Sequence, residues 1–105
     1  MALKKDFKFG DDLIELADFN FAFAHPARIV IFNILQSAPT VPFENFARVI
    51  PLSQSTISQH LQIFKRVYLV KSQELDDGSV EYALNKECFQ HYQANLSSLI
   101  LFSTE

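Results

Sequence analysis

Between Gln54 and Arg66 the side chains divide by helical angle into two kinds of chemistry. At about 100° per residue, Ser55, Gln59, Gln62 and Arg66 share one side, flanked by Ser58 and Lys65, while Ile57, Leu61 and Phe64 share the other. The apolar stripe can dock a helix on a core. The polar side offers hydroxyls, amides and cations, and no carboxylate. Such groups suit a DNA major groove: Gln pairs bidentately with adenine, Ser and Thr meet several base edges, and Lys and Arg meet guanine or phosphate. Gln54, Ser55 and Thr56 stand at the N-terminal end, where free backbone N–H groups favour a phosphate and recognition helices meet bases. The competing reading is an ordinary solvated helix face. Against it, no acid occurs from 45 to 73, and Arg48, Lys65, Arg66 and Lys71 all lie in that window of a chain whose net charge is −3.

Other reactive residues carry less. Cys88 and His91, three apart on one predicted helix, could form half of a soft-metal site completed across a dimer; a buried thiol acting as a small apolar side chain is the plainer reading. His60 lies on the flank of the polar helix, where it could touch phosphate or satisfy a backbone carbonyl. His25, before Pro26, reads as a structural turn residue, and Arg28 as structural or phosphate-facing. Asp76-Asp77 belongs to a turn rather than a metal pair. There is no Gly-rich phosphate loop, no paired-carboxylate arrangement and no Ser-His-Asp set, so neither an enzyme nor a cofactor or metal is expected.

The elements that must position these groups follow from punctuation and periodicity. Residues 1–10 read as a short arm, and 11–105 as a single domain. Asp11 or Asp12 can cap a first helix whose broad apolar surface includes Leu13, Ile14, Leu16 and Phe21. His25-Pro26 breaks it, and Pro26 suits the first turn of a second helix. That helix is apolar on nearly every side (Ile29, Val30, Phe32, Ile34, Leu35), which predicts a central place in the core. A short helix spans about 43–50. Pro51 stops it, Ser53 caps the next, and a longer helix runs to about Val67. Leu69–Leu75 and Val80–Leu84 have strand character and flank Asp77-Gly78, a strong hairpin signal. A last helix, about 86–102, carries Phe89, Tyr92, Leu96 and Leu99 at 3-4-3 spacing, a seam suited to another helix. The predicted order is α-α-α-α-β-β-α: mainly α with a small β-hairpin, a winged helix-turn-helix.

Composition sets the outer limits. The 105 residues are 49% apolar with 11 Phe, which excludes a disordered tail, and a single Cys excludes an internal disulfide scaffold. No apolar run is long enough for a membrane span and the N-terminus has no signal-peptide core, so a cytoplasmic protein without a membrane partner is expected. Net acidity alone argues against nucleic acid, but the cations collect around the polar helix while residues 74–105 hold most of the excess acid.

Three stretches resemble the ArsR/SmtB family of winged-helix transcription regulators. His25-Pro-Ala-Arg-Ile-Val-Ile-Phe-Asn-Ile-Leu35 is similar to the family's Pro-x-Arg start. Leu52-Ser-Gln-Ser-Thr-Ile-Ser-Gln-His-Leu-Gln-Ile-Phe64 is similar to its recognition helix, and Leu69-Val70, Gly78 and Tyr82-Ala-Leu84 to its wing. The resemblance spans about residues 12–102. It implies a symmetric homodimer built on the first and last helices, with Leu13, Leu16, Phe21, Phe89, Tyr92, Leu96 and Leu99 as candidate interface residues. It also implies binding of double-stranded DNA at a pseudo-palindromic operator, usually as a repressor released by an effector. Ser53, Gln54, Ser55, Thr56, Ser58 and Gln59 would read bases or nearby phosphate; Gln62, Lys65, Arg66 and Lys71 would contact the backbone. The sequence departs from the family in three places. Residues 41–48 contain no Cys-x-Cys, and the last helix offers only Glu87, Cys88 and His91, so the two familiar metal sites are absent. Tyr68 stands where the family has Gly, at a position that often needs positive φ. The wing tip, Asp76-Asp77, is acidic. The rival to a DNA-binding regulator is a winged-helix interaction module that has lost DNA binding, and a third possibility is an effector pocket among the Phe side chains.

Overall fold

α1 (Asp11–Ala22) starts one residue earlier than a capping Asp11 would require and two earlier than a capping Asp12. Gly10 is the N-cap, without a side-chain cap bond, and its carbonyl accepts from Leu13 and Ile14 N–H. Asp11 and Asp12 instead lie in the first turn, where their charge favours the positive end of the helix dipole. The computed structural model describes residues 9–103, and side-chain environments for 9–98, so most of the expected arm lies outside the described residues.

α2 (Pro26–Leu35) begins as expected at Pro26, and the His25 ring caps it: Nδ1 accepts from Ala27 N–H at 3.0 Å. The expectation of burial on nearly all sides is corrected. Arg28, Ile31, Phe32 and Leu35 face inward at helical spacing, while Ile29 and Val30 are 44% and 39% exposed. A uniformly apolar helix gives its periodicity no means of telling which side turns outward.

β1 (Val41–Pro42) is an element that the sequence pattern does not reveal. It pairs antiparallel with β3 (Val80–Leu84), Val41 opposite Tyr82, and β3 pairs in turn with β2 (Val70–Glu74), Val70 opposite Leu84. The order β1-β3-β2 puts β1 on an edge, where a proline without an N–H is tolerated. The corrected order is α-α-β-α-α-β-β-α, with five helices and a three-stranded antiparallel sheet among the described residues.

α3 (Phe43–Val49) and α4 (Gln54–Arg66) are joined by the turn through Pro51. α4 ends in a Schellman motif: Leu69 N–H donates to Phe64 O, and Tyr68 N–H to Lys65 O. Tyr68 takes the left-handed position, with φ 64°, the one non-glycine positive φ among the described residues. α5 (Lys86–Ser103) starts at Asn85, whose side chain accepts from Cys88 N–H.

The core joins these pieces through Ile31, Leu35, Val41, Phe46, Ile57, Leu61, Phe64 and Leu69, all buried. Phenylalanines fill it against one another: Phe23 lies 4.9 Å from Phe32 and 5.4 Å from Phe64 between ring centroids, and Phe32 lies 4.7 Å from Phe89. No helix among the described residues is long and apolar enough to cross a membrane.

Candidate nucleic-acid interface

Ile57, His60, Leu61 and Phe64 are the buried side of α4, and burial of that stripe turns the opposite side outward. Gln54, Ser55, Ser58, Gln59, Gln62 and Arg66 are exposed, while Thr56 and Lys65 are half-buried. Ser53 has a structural task of its own. Its Oγ accepts from Thr56 N–H at 3.2 Å and donates to Thr56 Oγ1 at 2.8 Å, with Ser55 Oγ 3.2 Å away. Three hydroxyls therefore cluster on the first turn, anchored by the cap.

Two clefts flank the helix at opposite ends. A groove of about 410 Å³ runs along Gln54, Ser55 and Ser58, bounded by Pro42, Phe43 and Glu44 and by the wing residues Gly78, Ser79, Val80 and Tyr82. Arg66 is not part of it. Twelve residues on, at about 1.5 Å rise each, it sits roughly 18 Å away. It lines a second cleft, of about 330 Å³, with Asp11, Glu15 and Asp18 of α1 and with Tyr68, Cys88 and His91. Lys71, exposed on β2, is the wing's cation. The wing tip turns on Gly78, at φ 84°. Asp77 accepts from both the hydroxyl and the N–H of Ser79, which hold its carboxyl below the usual carboxylate range and keep the tip negative.

The remaining candidates acquire partners. His60 neither faces solvent nor meets a carbonyl; it is buried and bonded to Arg28 (Nη1 to Nδ1, 3.1 Å). Arg28 is likewise buried, donating from Nε to Ala22 O and from Nη2 to Phe21 O, a structural role. The signal for His60 was present: it falls at i+3 from Ile57 and next to Leu61, inside the apolar stripe. Cys88 Sγ lies 3.4 Å from Val67 O, and burial, then Glu15, raises its pKa. His91 pairs with Glu15. Among the described residues no group of three His, Cys, Asp or Glu side chains could hold a metal ion.

The interface candidates separate by burial. Leu13 and Phe21 are 53% and 60% exposed, with Ile14 beside them. Leu16 is buried. Phe89 and Tyr92 are half-buried against their own core, Tyr92 stacking on Phe23 and donating its hydroxyl hydrogen to Asn20 Oδ1. Leu96 is half-buried, and the side chain of Leu99 lies outside the described ones.

Among solved structures, an ArsR family transcriptional regulator superposes with a TM-score of 0.74 over 93% of this chain and 96% of its own, at 14% identity. The fold is that of the ArsR-family regulators. An ArsR-like transcriptional regulator from Rhodococcus sp. RHA1 also reaches 0.74, at 21% identity, over 88% of this chain and 85% of its own. A possible transcriptional regulator for arsenical resistance reaches 0.65, at 26% identity, over 87% and 85%. No family model and no curated protein matches the sequence. Within this ArsR-type fold Tyr68 keeps the left-handed backbone that the family's glycine suggested, as a strained residue rather than a different helix end.

Proposed function

We propose that the chain is a cytoplasmic, homodimeric, sequence-specific DNA-binding regulator of repressor type acting on a pseudo-palindromic operator. The observation that carries this reading is the outward face of α4: Gln54, Ser55, Ser58, Gln59 and Gln62 exposed, free of acid, on a helix fixed to the core by its other side. Gln59 and its neighbours read base edges; Lys65, Arg66 and Lys71 supply phosphate contacts. Two copies meet through the exposed apolar residues of α1, Leu13, Ile14 and Phe21, together with Leu96 of α5. This sets two α4 helices in successive major grooves about 34 Å apart.

The test is selection from a randomised duplex library followed by anisotropy titration over a salt series. Replacing Lys65 and Arg66 together by Ala should flatten the slope of log K against log salt by roughly 0.9 for each phosphate left without its cation. Gln59→Ala should erode discrimination at one base position by about 1–3 kcal/mol and leave non-specific binding unchanged. An unchanged slope would remove the cations from the interface. The acidic wing tip, Asp76-Asp77, favours the rival reading, a dimerising interaction module without DNA affinity; failure to enrich any duplex would select it.

A further inference from the structure

We propose that Arg28 and His60 form a positioning pair that ties the recognition helix to the end of α1, and that protonation of His60 unties it. This inference rests on the reading of α4 as the DNA-reading helix.

The pair crosses three elements. Arg28 lies on α2 and is 6% exposed. Its Nε donates to Ala22 O at 2.8 Å and its Nη2 to Phe21 O at 3.2 Å, two of the last carbonyls of α1. A cation there also meets the negative end of the α1 dipole. The guanidinium carbon lies 5.4 Å from the centre of the Phe21 ring. The remaining nitrogen, Nη1, reaches His60 Nδ1 at 3.1 Å, in the middle of α4. One rigid fork therefore holds the C-terminus of α1 and the core side of α4 in a single geometry.

The chemistry fixes the proton. A guanidinium has only donors, so the imidazole must accept, and Nδ1 must be bare. His60 is then neutral, with its hydrogen on Nε2. The His25 ring stands on it, 4.5 Å away, and its own Nδ1 is occupied by Ala27 N–H. The groups facing His60 are thus Arg28 and His25, both able to carry positive charge. No carboxylate pairs with either: the one ion pair among the described residues joins Glu15 and His91 elsewhere. A proton on Nδ1 would remove the acceptor for Nη1 and set two cations in contact. Burial first, then His25 and Arg28, hold the His60 pKa below its ordinary value.

With the folded pKa depressed, the link contributes fully above about 6.5, the ordinary imidazole value, and is lost as pH falls through the depressed one. Acidification generally strengthens DNA binding by adding cations to the protein. Here the pair should reverse that trend, because the same proton loosens the helix that reads the groove.

The experiment locates the His60 titration by imidazole NMR and then follows anisotropy of the full chain on its selected duplex, at constant ionic strength, from pH 8 to one unit below that midpoint, with far-UV circular dichroism at each pH to follow folding. Wild type should weaken by about tenfold per pH unit once below the pKa, the linkage of one proton, while its helical signal persists. His60→Asn sets an amide oxygen on Cγ, where Nδ1 stood, to accept from Arg28, and it cannot protonate; it should match wild type at pH 8 within about twofold and not weaken as the pH falls. Parallel pH profiles for the two proteins overturn the proposal, as does stronger wild-type binding at low pH. Should no duplex bind at pH 8, the DNA reading fails, and the pair is judged by imidazole NMR. A bare Nδ1 on His60 at pH 7 with titration below 6.5 upholds it; titration at or above 6.5 overturns it.

Discussion

Tyr68 offers the sharpest check on the backbone. It is the C′ residue of α4, at φ 64°, and 75% exposed. A Cβ in the left-handed region costs about 1–2 kcal/mol, because it crowds the following carbonyl. Two variants isolate that cost. Tyr68→Ala keeps the Cβ, and Tyr68→Gly removes it at an entropic cost of roughly 0.5–1 kcal/mol. Both lose the covered quarter of the ring, about 50 Å² or near 1 kcal/mol at ~25 cal/mol per Å², and this loss cancels in the comparison. The Gly variant should therefore be more stable than the Ala variant by about 0.75 kcal/mol, the middle of a span of roughly 0–1.5 kcal/mol, against the usual order of the two residues. At roughly 4–8 °C per kcal/mol for a domain near this size, its Tm should be about 3–6 °C higher. Thermal melts by circular dichroism, paired with urea titrations of equal m-value, measure the difference. An Ala variant more stable than the Gly variant would refute the left-handed strain at Tyr68.

Other perturbations follow from the same contacts. Ser53→Ala removes the acceptor for Thr56 N–H and should lower stability by about 1 kcal/mol in urea denaturation, whether or not the hydroxyl also meets DNA. Phe64→Ala opens the centre of the aromatic cluster and should cost about 3–5 kcal/mol, enough to leave much of the chain unfolded at 37 °C. Cys88, with its thiol pKa raised by burial and by Glu15, should react with a disulfide reagent at pH 7.5 more slowly than a free cysteine, and at the free rate once unfolded in guanidinium; equal rates in the folded protein would disprove the burial of the thiol.

Much of the candidate site's framework was legible because its signals are local. Ser53 after Pro51 marks the start of α4 within a residue, and Asp77-Gly78 marks the wing turn. The polar, acid-free face of α4 needs only the 3.6-residue period. β1 was not legible: Val41-Pro42 has no pattern of its own and becomes a strand only when β3, some 40 residues on, lies beside it. Nor was the fate of His60. Its place in the apolar stripe could be read, but its partner stands 32 residues earlier in the chain.

α1 shows where the division falls. Periodicity and punctuation alone make α1 an amphiphilic helix, place its start within one or two residues, and give it more apolar side chains than one narrow face can hold. Packing in three dimensions sends Leu16, Phe19 and Ala22 inward and leaves Leu13, Ile14 and Phe21 outside. Helix limits, caps and turns depend on hydrogen bonds and dihedral angles closed within four or five residues, so composition and spacing determine them. Burial and buried polar pairing depend on which distant surface arrives. Thus a guanidinium from α2 could satisfy the end of one helix and the middle of another without leaving any trace in the local pattern of either.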